Sequence, residues 1–298
     1  MHASIKLYLT QESFFSRFWT TLRAASVATY RDNCLGIAKG AAYSALLSFF
    51  PVLTTLATFL VQAKAEAVAR TIARWLYDVV PPGTEDVVLT LFVAHGERPK
   101  WLLVVAGILA LWGASGAMMS LMEGFRSIYR IPSGRSFLRE RAMAIVLVFT
   151  TALPFVGGSA LIVFGTRTER TVMRWLGDTE FTGWVSLGGQ VLRYSAAFLT
   201  FIIVTAVVYY LGPNRKQQFR LVFPGAILAT LLWFLSTIAF GWYVRNVANY
   251  NVLYGSVGAG LALLVWMYVL AVIAFLGCEF NAVRERAIAT RQSLVVSG

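Results

Sequence analysis

Three ionisable side chains at the ends of long apolar segments are the first candidates for chemistry in this sequence. Glu279 follows residues 257–277, a stretch without any charged residue. Glu123 ends another apolar stretch, and Lys39 precedes a third. Charge is costly at membrane depth, so an interior arrangement of lysine and glutamate is typical of a proton- or ion-coupled gate. The alternative is that each side chain extends to the lipid headgroups or closes a helix end.

A second group of polar residues fills the turn before the last apolar segment. Irregular polar backbone at membrane depth is tolerated only where protein or a water-filled cavity covers it, so this turn can line an external vestibule. The alternative is a turn at the membrane interface that tyrosines anchor. Small residues at 255–260 are expected to let a neighbouring helix approach closely. The candidate pathway residues here are Asn249, Asn251, Tyr254 and Gly255, with Asn246 and Tyr250 beside them.

The first apolar segment carries a polar stripe and a proline. Its candidate pathway residues are Tyr43, Ser48 and Pro51. Proline within a helix removes a backbone donor and clashes with the preceding turn, so kinks are predicted at Pro51, Pro154 and Pro224. A kink can mark a substrate path, or it can only shape the packing of the helices.

No constellation in the sequence indicates catalysis. The two cysteines, Cys34 and Cys278, and the two histidines, His2 and His95, do not form a zinc-binding pattern. Both cysteines are predicted on the cytoplasmic side, where a structural disulfide is not expected. A GASGAM segment lies inside an apolar stretch, without the lysine that a phosphate-binding loop requires. We therefore predict no catalytic residues, no metal and no cofactor.

The composition places these residues in a membrane. Of the 298 residues, 58% are hydrophobic and 13% are charged, and the mean hydropathy is +0.67. A soluble domain is about half apolar and about a quarter charged. A helix needs about 20 apolar residues to cross the hydrocarbon core. The sequence therefore predicts an all-α polytopic membrane helical bundle, with kinked helices and six transmembrane segments at about 40–62, 101–124, 142–165, 192–211, 221–243 and 257–280.

The remaining segments are too charged to cross the membrane. In residues 1–37, aromatic side chains recur at helical spacing with arginines between them, which predicts an amphipathic helix at the membrane surface or packed under the bundle. Residues 63–100 and 167–190 are predicted as external segments, the first with two short amphipathic helices separated by a Pro-Pro-Gly sequence. The predicted organisation is a cytoplasmic N-terminal segment 1–37, a membrane domain 38–283 and a basic cytoplasmic tail 284–298.

Positive charge is concentrated on one side of the predicted topology. The net charge is +12, and 15 of the 26 lysine and arginine residues lie in the N-terminal segment, the loops 125–141 and 212–220 and the C-terminal tail. Because cytoplasmic loops carry an excess of lysine and arginine, both termini are predicted to be cytoplasmic. Each basic residue near an anionic lipid surface contributes about 1 kcal/mol of attraction. Membrane lipids with anionic headgroups are therefore expected partners, a second copy of the chain is another candidate, and nucleic acid is not expected.

Three segments carry a family pattern. The first is AAYSALLSFFPVL at 41–53, in which a Tyr-x-x-x-x-Ser-x-x-Pro pattern is present. The second is SIYRIPSGRSFLRERAMAI at 127–145, and the third is the long run 209–283. In that run, Tyr-Gly, Trp-x-Tyr and Gly-x-Glu-x-Asn patterns follow one another, and the last contains Glu279 and Asn281.

These segments resemble the YihY/BrkB family of bacterial inner-membrane proteins, formerly labelled ribonuclease BN. The resemblance implies a six-helix protein of the bacterial inner membrane. It also adds Asn281 to the candidate pathway residues. It does not imply one activity, because the family's two older labels, nuclease and serum-resistance factor, disagree.

Three functions compete at this point. A transporter or exporter of small polar solutes, with proton coupling as an option, is favoured by the kinked spans, the small-residue segments and the acidic groups at the membrane edge. A structural or lipid-handling envelope protein, of the virulence-factor type, is the alternative, and the amphipathic helices fit it. A nuclease is not expected, because Asp32, Glu140 and Glu285 stand apart instead of forming a cluster for metal-assisted hydrolysis.

Overall fold

The computed structural model describes residues 14–62, 100–132, 135–154, 157, 181–246 and 256–296. All regular structure in this part of the chain is helical, which confirms the predicted all-α class for the described residues. The helices are α1 (Phe14–Arg31), α2 (Cys34–Gln62), α3 (Lys100–Ile128), α4 (137–154), α5 (Phe181–Leu211), α6 (Phe219–Asn246) and α7 (Ser256–Val296).

Five of these helices are long and apolar enough to cross a membrane. The segments are Cys34–Phe59, Trp101–Ile128, Leu187–Leu211, Phe219–Tyr243 and Gly260–Thr290. The predicted third span, 142–165, begins within α4, but residues 158–165 lie outside the described part of the chain. A count of six spans therefore stays a prediction. The kinks stay predictions too, since α2 and α6 continue through Pro51 and Pro224 as single helices.

Two helices are longer than the sequence pattern suggested. α5 begins at Phe181, so the last part of the segment predicted as external, 167–190, is helical in the structure. Residues 181–190 contain no proline and no charge, and the helix continues through Gly183, Gly188 and Gly189. α7 continues to Val296 through the segment predicted as a tail, because that segment is rich in the helix-favouring residues arginine, alanine and glutamine.

α2 and α3 pack antiparallel along a seam of small residues. The facing pairs along this seam are Gly40 with Ser120, Ser44 with Gly116, Ser48 with Gly113, and Thr55 with Gly107. At the tightest point, a Cβ added to Gly113 would lie 2.7 Å from the Cβ of Ser48. Helices in a membrane associate through such close backbone approach. The small residues at the centre of α3 therefore determine how it packs on α2.

α7 joins the bundle, because it contacts α1, α2, α3 and α6. Its closest crossing is with α6. A Cβ added to Gly277 would lie 2.6 Å from the carbonyl oxygen of Gly225 and 2.7 Å from the Cβ of Ala229. At the other end of α7, Gly260 has no described neighbour within 4 Å, so the close approach expected there is not formed at this residue.

Aromatic side chains fill the space between α3, α5 and α7. Phe125 of α3 packs edge-on against Tyr209 of α5 and Phe275 of α7, with ring centroids 5.4 Å and 5.9 Å apart. The Phe275 ring lies against Gly124, where there is no room for a side chain. Cys34 and Cys278 border this core as free, buried thiols.

α1 packs under the bundle. Ala25 is fully buried, and the ring centroids of Phe18 and Phe280 are 5.6 Å apart. Of the two positions predicted for the N-terminal helix, the structure has the packed one. Phe15 and Trp19 nevertheless remain exposed, at 74% and 61%. The helix therefore has one face on α7 and aromatic side chains that the bundle does not cover.

Candidate functional site

Four polar segments meet at one end of the bundle, which we call the basic end: residues 31–33, 129–132 with 135–136, 212–218 and 279–286. Ser127 Oγ, in the last turn of α3, donates to the Asp32 carbonyl at 2.8 Å. Arg286 Nη2 of α7 donates to the Ile128 carbonyl at 2.6 Å. The charge pattern of the sequence assigned the same four segments to one side of the membrane, and the structure brings them together.

Two acids and one tyrosine ring bind two arginines at the basic end. Arg215 forms an ion pair with Glu285, and its guanidinium lies over the ring of Tyr129, 3.8 Å from the centroid. Burial raises the pKa of Tyr129. Arg126 forms an ion pair with the buried Glu140. Glu140 and Glu285 are therefore each neutralised by an arginine.

Arg135 closes the end of α5. Its Nη2 donates to the Leu211 carbonyl at 3.0 Å, and its Nη1 donates to the Gly212 carbonyl at 3.3 Å. The last carbonyls of a helix have no partner within the helix, and a cation is favourable there. Burial and the nearby charge of Arg126 lower the pKa of Arg135. This contact joins Arg135, just before α4, to the end of α5.

The third acid, Asp32, faces Glu279. Glu279 is fully buried, and the Asp32 side chain is 13% exposed. The two carboxyl groups lie next to each other. No N–H or hydroxyl group of a described residue donates to Asp32 Oδ2 or to either carboxyl oxygen of Glu279. A hydrogen bond between two carboxyl groups needs a proton on one of them. Asp32 and Glu279, which we call the acid pair, are thus arranged to bind a proton.

Two arginines lie close to the acid pair without forming a tight salt bridge to it. Arg130 Nη2 is 3.9 Å from Asp32 Oδ1, and the Arg130 side chain is 75% exposed. An exposed ion pair contributes only about 0–1 kcal/mol. Arg286 also attracts Glu279, but its Nη2 donates to the Ile128 carbonyl. Positive charge therefore surrounds the acid pair, while its buried oxygens keep no donor among the described residues.

Arg130 adopts a backbone conformation that normally belongs to glycine. Its φ is 53°. The Ile131 N–H donates to the Arg126 carbonyl and the Arg130 N–H donates to the Ser127 carbonyl, both at 3.0 Å. These two bonds form a Schellman motif, whose left-handed position is usually glycine. A side chain at this position costs about 1 kcal/mol. This strained backbone conformation leaves the Arg130 guanidinium next to Asp32.

An open pocket of about 540 Å³ lies beside the acid pair. Residues of α1, of the turn after α3 and of α7 line it. Four of these residues are arginines, and Asp32 is the one acid among them. The arginines are Arg23, Arg31, Arg130 and Arg286. The pocket therefore combines strong positive charge with the outer edge of the acid pair.

Two faces of α7 explain the Gly-x-Glu-x-Asn pattern. Residues four apart lie on one helix face, and Gly277 and Asn281 both contact α6. Asn281 Nδ2 donates to the Val222 carbonyl at 2.9 Å, and Asn281 Oδ1 accepts from the Gly225 N–H at 2.7 Å. Glu279, two residues from each, lies on another face, toward the turn between α1 and α2. One face therefore fixes the helix crossing, and the other carries the acid pair.

The structure does not assemble the interior lysine–glutamate gate that the sequence suggested. Lys39 and Glu123 are exposed. Neither forms an ion pair with another residue of the described ranges. The charges that act on Glu279 come instead from Asp32 and two arginines. Lys39 and Glu123 lie on outward surfaces of α2 and α3, which explains why they do not reach α7.

The remaining predicted site residues lie in the first span or beyond the described part. Tyr43 is exposed, Ser48 is buried against α3 and Pro51 is half-buried. Ser48 Oγ donates to a carbonyl of its own helix at 2.9 Å, and the Pro51 carbonyl accepts from Thr55 Oγ1 at 2.8 Å. These are bonds within α2. The residues outside the described ranges are Asn249, Asn251, Tyr254 and Gly255.

Sequence reasoning missed Asp32 as the partner of Glu279. It also missed Arg130 and the arginines of α1. Asp32 lies in a short turn between two helices, far from Glu279 in the chain. The signal that could have pointed to it is its place at the same membrane end as Glu279, since both fall in segments assigned to that side.

Five apolar helices, small-residue crossings and a polar end define an α-helical integral membrane protein. Residues 26–295 match the family model described as virulence factor BrkB. The chain therefore belongs to the BrkB family, as the resemblance implied.

Three curated relatives show the breadth of this similarity. The ribonuclease-like protein YfkH of Bacillus subtilis is 31% identical over 192 residues, which cover 64% of this chain and 68% of that protein. A UPF0761 membrane protein of Alteromonas mediterranea is 28% identical over 258 residues, or 84% of this chain and 82% of that protein. The UPF0761 membrane protein of Chromobacterium violaceum is 27% identical over 209 residues, and the match spans only 48% of its length. No solved structure matches.

Proposed function

We propose that this chain transports small polar solutes across the bacterial inner membrane, with six spans and both termini in the cytoplasm. The observation that supports this most is the acid pair, in which Glu279 is buried and Asp32 Oδ2 and both Glu279 carboxyl oxygens receive no hydrogen bond from a donor in the described residues. Ionisable side chains at membrane depth commonly mark proton or ion pathways. The kinks predicted at Pro51, Pro154 and Pro224 fit the same interpretation, because kinked helices often line a substrate path.

The basic end is proposed to face the cytoplasm. Excess lysine and arginine is retained on that side of bacterial inner-membrane proteins. Residues of the N-terminal segment, the loops 125–141 and 212–220 and the C-terminal tail, which together carry 15 of the 26 lysines and arginines, are in contact there. The contacts are made by Ser127, Arg135, Arg215 and Arg286. Anionic lipid headgroups are then the partners that this surface meets.

In this proposal the acid pair links proton binding to the arrangement of the helices. With a shared proton, Asp32 and Glu279 attract each other across the contact between the α1–α2 turn and α7. Without it, two buried negative charges in contact repel one another. The turn then moves away from α7. Because Asp32 is part of the pocket wall, this movement changes access to the pocket.

We propose a role without enzymatic activity. The ribonuclease-like name belongs to YfkH. Metal-assisted hydrolysis of a phosphodiester needs a cluster of carboxylates or histidines around the metal. In this chain Glu140 and Glu285 are engaged by Arg126 and Arg215, and Glu279 is buried. The carboxylates at the basic end are therefore committed to ion pairs and to the acid pair.

A lipid-handling or structural role in the envelope is the second candidate. The observation that favours it is α1, whose exposed Phe15 and Trp19 share a helix with Arg23 and Arg31. Aromatic and basic side chains on one helix are typical of contact with lipid headgroups. The description of the family as a virulence factor fits this role equally well.

Transport by the purified full-length protein in proteoliposomes tests the first proposal. Vesicles are loaded with a panel of labelled small polar solutes, and efflux is measured with and without a proton gradient. We expect at least one solute to leave faster than from protein-free vesicles, at a rate that depends on the gradient. Background rates for the whole panel would contradict transport. Movement of a fluorescent lipid in the same vesicles would then support the second candidate.

Two variants separate the acid pair from general charge at the basic end. In Glu279→Gln the gradient dependence is lost, because glutamine can donate a hydrogen bond to Asp32 but cannot release a proton. Glu285→Gln makes the same chemical change at the same end, in a residue that pairs with Arg215 instead. It should keep the gradient dependence. Equal loss in both variants would remove the acid pair from the mechanism.

A further inference from the structure

The pocket at the basic end has two arginines that are free to meet a ligand. Arg23 and Arg31, both on α1, line the pocket and are exposed. Neither forms an ion pair with another residue in the described part of the chain. Their charge is therefore not neutralised by those residues.

The other two arginines of the pocket are already held in place. Arg286 Nη2 donates to the Ile128 carbonyl at 2.6 Å. The backbone of Arg130 is fixed by the Schellman motif at the end of α3. A ligand that binds groups already in position loses less free energy to ordering them. Asp32 opposes the four arginines as the one acid of the lining, so the pocket favours an anion.

We propose that this pocket binds the phosphate group of an anionic molecule. A phosphate group offers several oxygen acceptors and more charge than a carboxylate, so it can engage several guanidinium groups at once. The volume of about 540 Å³ is larger than a bare phosphate needs and is typical of sites for small organic ligands. Val27 and Val283 add apolar surface for the remainder of the molecule.

The phosphate group can belong to a lipid headgroup at the membrane surface or to a soluble organic phosphate. Both present the same chemistry to the arginines, and both can reach a pocket that is open at the end of the bundle. The site does not depend on the proposed transport, because it is a binding site whether or not its ligand moves. A binding experiment therefore tests it separately from the proteoliposome assay.

Two binding measurements on the purified full-length protein distinguish the sources. In detergent, the affinity for glycerol 3-phosphate is measured by titration at constant ionic strength, with chloride as the reference salt, because salt screens exposed charge. In nanodiscs of mixed phosphatidylglycerol and phosphatidylcholine, native mass spectrometry counts the lipids that remain bound. We expect wild type to bind glycerol 3-phosphate above the chloride level, or to retain phosphatidylglycerol in preference to phosphatidylcholine.

The test variant is Arg23→Gln combined with Arg130→Gly. Glycine suits the left-handed position at 130, and Arg23 has no ion pair within the described ranges, so this variant should fold. Loss of two exposed charge contacts should lower the affinity about tenfold. The control combines Arg139→Gln with Arg220→Gln, two exposed arginines outside the pocket lining. It removes the same charge and should change the affinity by less than about twofold.

Each outcome decides the proposal. Weaker retention of phosphatidylglycerol in the test variant supports the site with a lipid headgroup as its ligand. Weaker binding of glycerol 3-phosphate supports the site with a soluble phosphate. The proposal is overturned if wild type shows neither preference, if the test variant binds as tightly as wild type, or if the control variant loses as much affinity as the test variant. Melting temperatures of both variants show whether each is folded.

Discussion

Asn281 and Glu279 are both buried in α7, two residues apart, yet their hydrogen bonding differs completely. Asn281 donates to one backbone group of α6 and accepts from another. Glu279 meets only a second carboxyl group, and no described N–H or hydroxyl donates to it. Buried polar groups are normally hydrogen-bonded, and an exception calls for an explanation. Burial by itself therefore does not separate a structural polar residue from a functional one. The hydrogen-bond partners of the residue do.

The largest expected loss of stability comes from a substitution on the face of α7 that contacts α6. Gly277→Ala places a Cβ within 2.7 Å of Ala229 and 2.6 Å of the Gly225 carbonyl oxygen. Overpacking against backbone should cost about 3 kcal/mol. The melting temperature in detergent measures the loss.

Gly260→Ala is the matched control, because Gly260 has no described neighbour within 4 Å. It should be neutral or stabilising by up to about 1 kcal/mol. Equal destabilisation by both variants would show that the close crossing is not what holds α7.

Replacing each buried polar residue by leucine compares the two faces directly. Asn281→Leu leaves the Gly225 N–H and the Val222 carbonyl buried without their partner, at a cost of about 2 kcal/mol. Glu279→Leu removes a side chain to which no described N–H or hydroxyl donates, so it should cost less. Melting temperatures of the two variants give the order. If leucine at 279 is as harmful as leucine at 281, the two faces do not differ in the way proposed.

The sequence predicts which segments form helices better than it predicts which distant residues those helices contact. Long apolar runs predicted five of the described helices, and the small residues of α3 predicted its close packing, because both are properties of a local segment. The start of α5 at Phe181 was missed because residues 181–190 are only moderately apolar and contain three glycines, which weaken a helical pattern. For the candidate site, the pattern around Glu279 was visible but Asp32 was not. Their contact joins a turn to a distant helix, and no spacing within one segment encodes it.

Arg130→Gly changes the backbone beside the acid pair. The φ of 53° at Arg130 is strained for any residue with a Cβ, and glycine adopts it freely. The exposed contact of Arg130 with Asp32 is long and contributes little. We therefore expect a gain of about 1 kcal/mol, seen as a higher melting temperature. Arg139→Gly, in the first turn of α4, is the control and should lower the melting temperature, because glycine weakens a helix. A loss of stability at position 130 would mean that the Arg130 guanidinium contributes more to the Glu279 face than its exposure suggests.

Glu279→Gln should have the smallest effect on stability at acidic pH, within about 0.5 kcal/mol, because glutamine has nearly the same size and donates its amide to Asp32. The variant differs from wild type as the pH rises. In wild type the carboxyl groups of Glu279 and Asp32 lie next to each other, and two ionised carboxylates repel, so raising the pH should favour unfolding. Glutamine cannot lose a proton, so the variant should keep its stability.

Melting temperatures from about pH 5 to about pH 9 test this, with Glu285→Gln as the control. Parallel curves of melting temperature against pH for wild type and Glu279→Gln would show that the acid pair shares no proton. Glu279 and Asn281 would then differ only in their packing.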